Sequence, residues 1–317
     1  MGFRTTILSA TAAITALAAP FAAAPAAAQM LDPAKGADAL EISKRLQCGA
    51  SVDEPAVYHW SGNIYGRVQG QRDKLLFKGE GMNIRRCVEI EDADRGKGWR
   101  MVSREVMLML DPKTGEVLDK WENPYTGETV EVMQIHNDPV NGRPNYELGR
   151  DGKPYSLGTL RESGPYVFVP FEVPLFYTNP LAGAYQDAVG NKYHAMEIFD
   201  FAALKEDLYD ASTPTAYPMI SWVRVSPWAP WMGMGGRPGQ MVFNAMGRKL
   251  PGGFEDLPEV LKTEIRANYP IYEQAPPADD RRPNETTWTK YKKLTDAKRA
   301  ERREKATMSE EGMGGAE

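Results

Sequence analysis

Hydrophobic and polar positions recur along the chain with two different periods. Ala34 to Leu46 has helical spacing, with Ile42 and Leu46 four apart on one face. From Val57 the period drops to two. Val57–Val68, Lys74–Phe77, Trp99–Leu110, Val117–Trp121, Thr129–Ile135 and Tyr166–Val173 are short runs rich in β-branched and aromatic residues, bounded by Gly, Pro, Asn and Asp. Each predicts a strand. Met219–Val225 and Gln240–Met246 read the same way, whereas Phe201–Tyr209 and Leu257–Tyr269 return to helical spacing, the second behind Asp256 as an N-cap.

Two related hexapeptides, DPKTGE at Asp111–Glu116 and NPYTGE at Asn123–Glu128, flank the strand at Val117–Glu122. In each, proline fixes φ at the first corner position and glycine can take the positive φ that a short hairpin loop requires. The pair reads as two corners of a β-meander or, through Tyr125 and Thr126, as a ligand loop. Connections this short cannot hold a crossover helix, so neighbouring strands are expected to be antiparallel. The expected fold is mainly β: an antiparallel β-barrel or strongly curved sheet, lipocalin-like in general shape, with two or three peripheral α-helices. Residues 29–277 form one β-rich domain in this reading, and 278–317 are a charged C-terminal tail, helical or disordered.

Composition narrows the partners. The 317 residues hold 38 Lys and Arg against 43 Asp and Glu, a net charge of -5, so there is no basic excess to neutralise a phosphate backbone and no nucleic-acid partner is expected. Residues 1–28 carry Arg4, an apolar Ala-rich core at Ile7–Phe21 and the small residues Ala26–Ala28, the pattern of a cleaved signal peptide. The mature chain is then expected in the periplasm or secreted, with no integral membrane segment. In an oxidising compartment the only two cysteines, Cys48 and Cys87, can form one bridge, worth roughly 4 kcal/mol by loop-closure entropy, or remain two buried thiols. The three histidines at 59, 136 and 194 fit no metal-ligand spacing, and no CxxC or HExxH occurs, so neither metal nor cofactor is expected. The oligomeric state is not legible.

The blocks YHWSGNIYG, SREV, TGEVLDKWENPYTGE, NDPVN, SWVRVSPWAPWM, RPG, GRKLPGG and DLP occur in this order, with Ser226–Met232 (SPWAPWM) the most specific of them. In these blocks the chain resembles, from about residue 38 to 275, the bacterial family catalogued as domain of unknown function 1838, as an exported proteobacterial member. The resemblance implies a small hydrophobic or aromatic ligand, because similar proteins occur in bacteria that degrade aromatic compounds. Relatives place a histidine slightly upstream of His136, so the resemblance assigns His136 no role.

Candidate chemistry follows from alternation. His59, Ser61, Asn63, Tyr65 and Arg67 share one face of the first strand, with Tyr58, Trp60 and Ile64 on the other; the polar face is either solvated or lines a lumen. Trp222, Arg224 and Ser226 share a face, so Arg224 can stack on Trp222 or Trp228 or hold an anionic group. Trp228–Arg237 packs two tryptophans, two methionines and three glycines into ten residues, a flexible apolar loop suited to an adaptable pocket wall or a membrane-leaning surface. Arg104 falls on the apolar face of its strand and is expected to pair with Asp119 or Glu122 in preference to a ligand carboxylate. His136 and Asp138 stand on one turn, a weak general-base arrangement. No GxSxG elbow and no cysteine–histidine pair is present.

These patterns favour a cofactor-independent lyase or isomerase acting on a hydrophobic or aromatic compound. His59, Tyr65, Arg224 and Asp138 are the candidate catalytic groups. Trp60, Asn63, Tyr125, Trp222, Trp228, Trp231, Met232 and Arg237 are the candidate ligand contacts. The competing reading is a non-catalytic binding barrel that uses the same tryptophans as an apolar wall.

Overall fold

The computed structural model describes residue 2 and residues 29–182 and 192–313; the expected signal peptide lies outside this range except for residue 2. A first helix, α1 (Gly36–Gln47), buries Ile42 and Leu46 and precedes three long strands, β1 (Ala56–Arg67), β2 (Lys74–Asp92) and β3 (Gly96–Leu110). Five short strands follow: β4 (Lys120–Glu122), β5 (Thr129–Glu131), β6 (Ile135–Asn137), β7 (Asn145–Tyr146) and β8 (Arg161–Ser163). Long strands then return as β9 (Tyr166–Thr178), β10 (Lys192–Leu204), β11 (Met219–Ser226) and β12 (Gln240–Leu250). The remaining helices are α2 (Lys205–Tyr209), between β10 and β11, then α3 (Glu259–Asn268) and α4 (Thr287–Met313) after β12. None is long and apolar enough to cross a membrane.

Ten strands form one antiparallel sheet in the order β6-β3-β2-β1-β12-β11-β10-β9-β8, with β7 also on β3; β4 and β5 pair separately as a hairpin. Among the described residues no ladder joins β6 to β8, so the expected barrel is not closed. Closure requires a fixed stagger between first and last strands, which side-chain alternation does not encode. The sheet is nevertheless bent. Tyr58 on β1 and Phe201 on β10 are separated by β12 and β11, a flat distance of about 14 Å at ordinary strand spacing. Their ring centroids are 6.0 Å apart.

Two expectations need correction. The second strand runs on from Phe77 to Asp92, because Gly79, Gly81 and the charges at 78, 80, 85 and 86 mask its alternation. Phe201–Leu204 ends a strand rather than starting a helix: Phe201 pairs with Ile220 and Val169, and only Lys205–Tyr209 is helical. Among the described residues the α-helices number four, three within 29–277 and α4 in the tail.

The two sheet faces bury different clusters. One carries Ile64, Phe77, Met107, Met109, Trp222, Phe243 and Ala245, covered by the β4–β5 hairpin and the 228–234 loop. The opposite face packs Val57, Met82, Ile84, Val106, Leu108 and Leu250 against Leu257 and the α3 residues Leu261 and Ile265. Full burial of such aliphatic side chains contributes roughly 1.5–3 kcal/mol each. Cys48 and Cys87 are bonded as a disulfide with Cα atoms 5.6 Å apart, tying the end of α1 to β2.

Candidate functional site

The register of the sheet sorts side chains between the faces. Following the ladders from β1, Tyr58, Trp60, Gly62 and Ile64 face the same way as Lys249, Gly247, Ala245 and Phe243 of β12. Ile220, Trp222 and Arg224 of β11, Glu197, Phe199 and Phe201 of β10, and Asn83, Met107 and Glu105 of β2 and β3 continue that face. It is the concave, aromatic face. Trp222 lies 5.9 Å from Trp60, 5.6 Å from Phe243 and 6.4 Å from Phe199 between ring centroids.

Set into this aromatic wall are charges. Arg224 Nη1 donates to Glu197 Oε1 at 2.7 Å and its Nη2 to the Tyr193 hydroxyl at 2.5 Å. Burial opposes the charge on Arg224, but Glu197 and Tyr193 outweigh it and hold its pKa above the ordinary arginine value. Glu105 accepts a 2.7 Å hydrogen bond from Asn137 Nδ2 on β6. Burial pushes the Glu105 carboxyl up, and Glu197 adds to the rise against the opposing pull of Asn137, Arg224 and Arg85. A neutral, proton-bearing Glu105 is thereby favoured at higher pH than for a solvated carboxylate. Three strands lie between β3 and β11, yet the charges on Glu105 and Arg224 act on one another, another consequence of the bend.

Four buried polar atoms on this face have no hydrogen-bond partner in the protein: Trp60 Nε1, Trp222 Nε1, Arg224 Nε and Asn137 Oδ1. Leaving such an atom unpaired costs about 1–3 kcal/mol, so four on one face call for an explanation. Arg224 and Glu197 keep 24% and 16% of their side-chain surface accessible, so this ion pair is half-buried and within reach of a small molecule. The wall is also relieved by glycine. A Cβ at Gly81 would stand 2.2 Å from Trp60 Nε1, so that indole occupies space only glycine leaves.

Of the residues singled out from sequence, Arg224, Trp60 and Trp222 come together here. His59 does not: it lies on the opposite face, where its Nε2 is 2.7 Å from Glu80 Oε2, and Ser61 donates to the other oxygen at 2.7 Å. Asn63 pairs with Asn244 and Tyr65 with Val242 on that same face. Asp138 sits beyond β6, held by Arg104 Nε at 2.8 Å and by Arg282 at 3.0 Å. Burial acts to raise its pKa, but these two guanidiniums win and keep it below the ordinary range. Arg104 therefore pairs with Asp138, not with Asp119 or Glu122, because the chain beyond β6 returns to the face that Arg104 occupies.

The tryptophan loop is interior. Trp228, Trp231 and Met232 are buried, with Trp231 against Phe77 and Trp121. Trp228 Nε1 donates to the carbonyl of exposed Arg237. Tyr125 stacks against Trp228 at 5.3 Å, and Asn123 Nδ2 fastens the hairpin to the Met232 carbonyl at 2.8 Å. Among the described residues no group of His, Cys, Asp and Glu is placed to hold a metal ion.

Glu105, Asn137, Glu197, Tyr193 and Phe199 were missed in the sequence. The stripe Tyr193, Ala195, Glu197, Phe199, Phe201 is a signal that could have found Glu197, being one charge in an alternating apolar series.

Together these features define an antiparallel, strongly bent sheet whose concave face holds paired charges and unsatisfied donors in an aromatic setting. The chain belongs to the family described as "Protein of unknown function (DUF1838)", whose model matches residues 53–295 and so includes every residue of this site. No curated protein and no solved structure matches the chain.

Proposed function

We propose that the protein is an exported, cofactor-independent lyase or isomerase that acts on a hydrophobic or aromatic compound held against the concave face. The observation that carries this reading is the set of unpartnered buried atoms on Trp60, Trp222, Arg224 and Asn137, on the same sheet face as Glu105. In the proposed reaction Glu105 transfers a proton to or from the substrate. The indole N–H groups of Trp60 and Trp222 and Nε–H of Arg224 donate to the oxygen that gains negative charge. Such preorganised donors act strongly in a water-poor site, and each is worth about 10²–10³ in rate. A carboxyl whose pKa is raised by an apolar wall is suited to general acid–base work near neutral pH.

The test has two stages. Native mass spectrometry of the mature protein identifies a co-purified compound, or turnover of a panel of aromatic compounds identifies a substrate; Glu105→Gln is then assayed on that compound. A fall in kcat of about 10²–10⁴ is expected for loss of a general acid–base group. Unchanged kcat would exclude this role. A specific observation favours a binding protein as the second reading: Glu105 is already bonded by Asn137, and Arg224 by Glu197. Recovery of the bound compound chemically unchanged after long incubation would decide for that alternative.

A further inference from the structure

A cleft of about 870 Å³ lies on the other side of β6 from the concave face, between the end of α3 and the start of α4. Its walls include His136, Tyr269, Ile271, Tyr272, Glu285 and Lys290. The size suits a small organic molecule. The His136 ring stacks on Tyr269 at 4.7 Å, with Tyr272 edge-on at 6.4 Å, giving a flat aromatic wall. In the first turn of α4, Lys290 is only 14% exposed and places Nζ 2.7 Å from His136 Nδ1, 3.4 Å from the Tyr272 hydroxyl and 3.3 Å from Glu285. An ammonium can only donate, so Nδ1 is the unprotonated ring nitrogen. Glu285 is shared, since Lys293 also binds it at 2.5 Å.

We propose that Lys290 is a reactive amine that condenses with the carbonyl carbon of an aromatic aldehyde or ketone bound in this cleft, forming an iminium with His136 as the proton carrier. His136 Nδ1 takes a proton from the Lys290 ammonium, the freed nitrogen lone pair attacks the carbonyl carbon as the C=O π pair moves to oxygen, and a proton on the adduct's nitrogen shifts to that alkoxide to give a neutral carbinolamine. The protonated His136 then returns its proton to the carbinolamine hydroxyl. The C–O bond breaks, water leaves, and the nitrogen lone pair forms the C=N bond. The net change is one carbonyl compound and one ammonium to one iminium and one water, with no other reactant and with His136 regenerated neutral. Two features of the resting site favour this sequence. Burial lowers the Lys290 pKa despite Glu285, which eases release of its proton, and His136, with a pKa lowered to about 4 by burial and by Lys290, is unprotonated at neutral pH; the part of that lowering due to the Lys290 charge is lifted once the ammonium gives up its proton. The inference does not depend on the activity proposed for the concave face.

The experiment uses the full chain with benzaldehyde and sodium cyanoborohydride at pH 7, followed by peptide mapping of N-benzyl lysines. A lowered pKa raises the neutral fraction of a lysine, so Lys290 is expected to label faster than exposed Lys35 and Lys305. The excess should vanish in urea, and His136→Gln should reduce Lys290 labelling while leaving Lys35 unchanged. Labelling of Lys290 no faster than that of Lys35 in the folded wild-type protein would overturn the proposal, as would an excess that persists in urea.

Discussion

Acid sensitivity arising at His136 is the most quantitative consequence of the packing around β6. Enclosure in the cleft and the adjacent Lys290 ammonium lower its pKa from 6.5 to about 4, with Glu285 opposing. The unfolded chain therefore binds a proton at His136 between these two values while the folded chain does not, and stability must fall as pH drops through that window. Between pH 7 and pH 4.5 the linkage amounts to about 2.4 kcal/mol at 1.36 kcal/mol per unit. Solvent reaching the open cleft reduces this to about 1 kcal/mol. The perturbation is His136→Gln, which removes the titration and retains a hydrogen-bonding side chain beside Lys290. Urea denaturation of wild type and variant at pH 7 and pH 4.5 gives a double difference from which other carboxylates largely cancel. The variant should lose about 1 kcal/mol less than wild type on acidification. Equal losses would refute the argument that His136 is held neutral, and with it one support for Lys290 as an activated amine.

Other consequences follow from the packing and the cross-link. Replacing Cys48 and Cys87 with serine should lower unfolding stability by about 4 kcal/mol, read by denaturant titration, since the bond spans 39 residues of sequence; a change under 1 kcal/mol would contradict the loop-closure account. Leu261→Ala, at a fully buried α3 contact, should cost about 2–5 kcal/mol, whereas an equally large effect from Leu294→Ala, 52% exposed on α4, would contradict the assigned core. Gly81→Ala should displace the Trp60 ring, seen as a shift of its indole N–H resonance with that of Trp99 unchanged; an unmoved Trp60 resonance would mean that the close approach is not real.

The strands β1, β11 and β12 were legible because each alternates in side-chain character, and alternation there also grouped Trp222 with Arg224. β2 was not, since its middle is buried on both faces and glycines remove the alternating signal under Trp60 and Met107. The tail reads as a charged solvated helix, but one residue changes that picture: Trp288 is 4% exposed and lies 5.4 Å from Tyr193, which anchors the start of α4 and places Lys290 beside His136. Glu105 was passed over because its neighbour Arg104 is the obvious charge on an apolar face. Its proximity to Arg224 depends on how far the sheet bends across three strands, a property of sheet coiling and not of any local pattern.

Proton transfer on the concave face requires Glu105 to carry its proton to higher pH than an ordinary glutamate. The direct measurement is an NMR pH titration of the glutamate side-chain carboxyl carbons in ¹³C-labelled protein, with the Glu105 resonance assigned by its absence in Glu105→Gln. The account predicts a midpoint clearly above the ordinary glutamate value of about 4.3, because burial and Glu197 outweigh the neighbouring cations. A midpoint at or below that value would make Glu105 an ordinary buried ion-pair carboxylate and would contradict its assignment as the proton-transfer group.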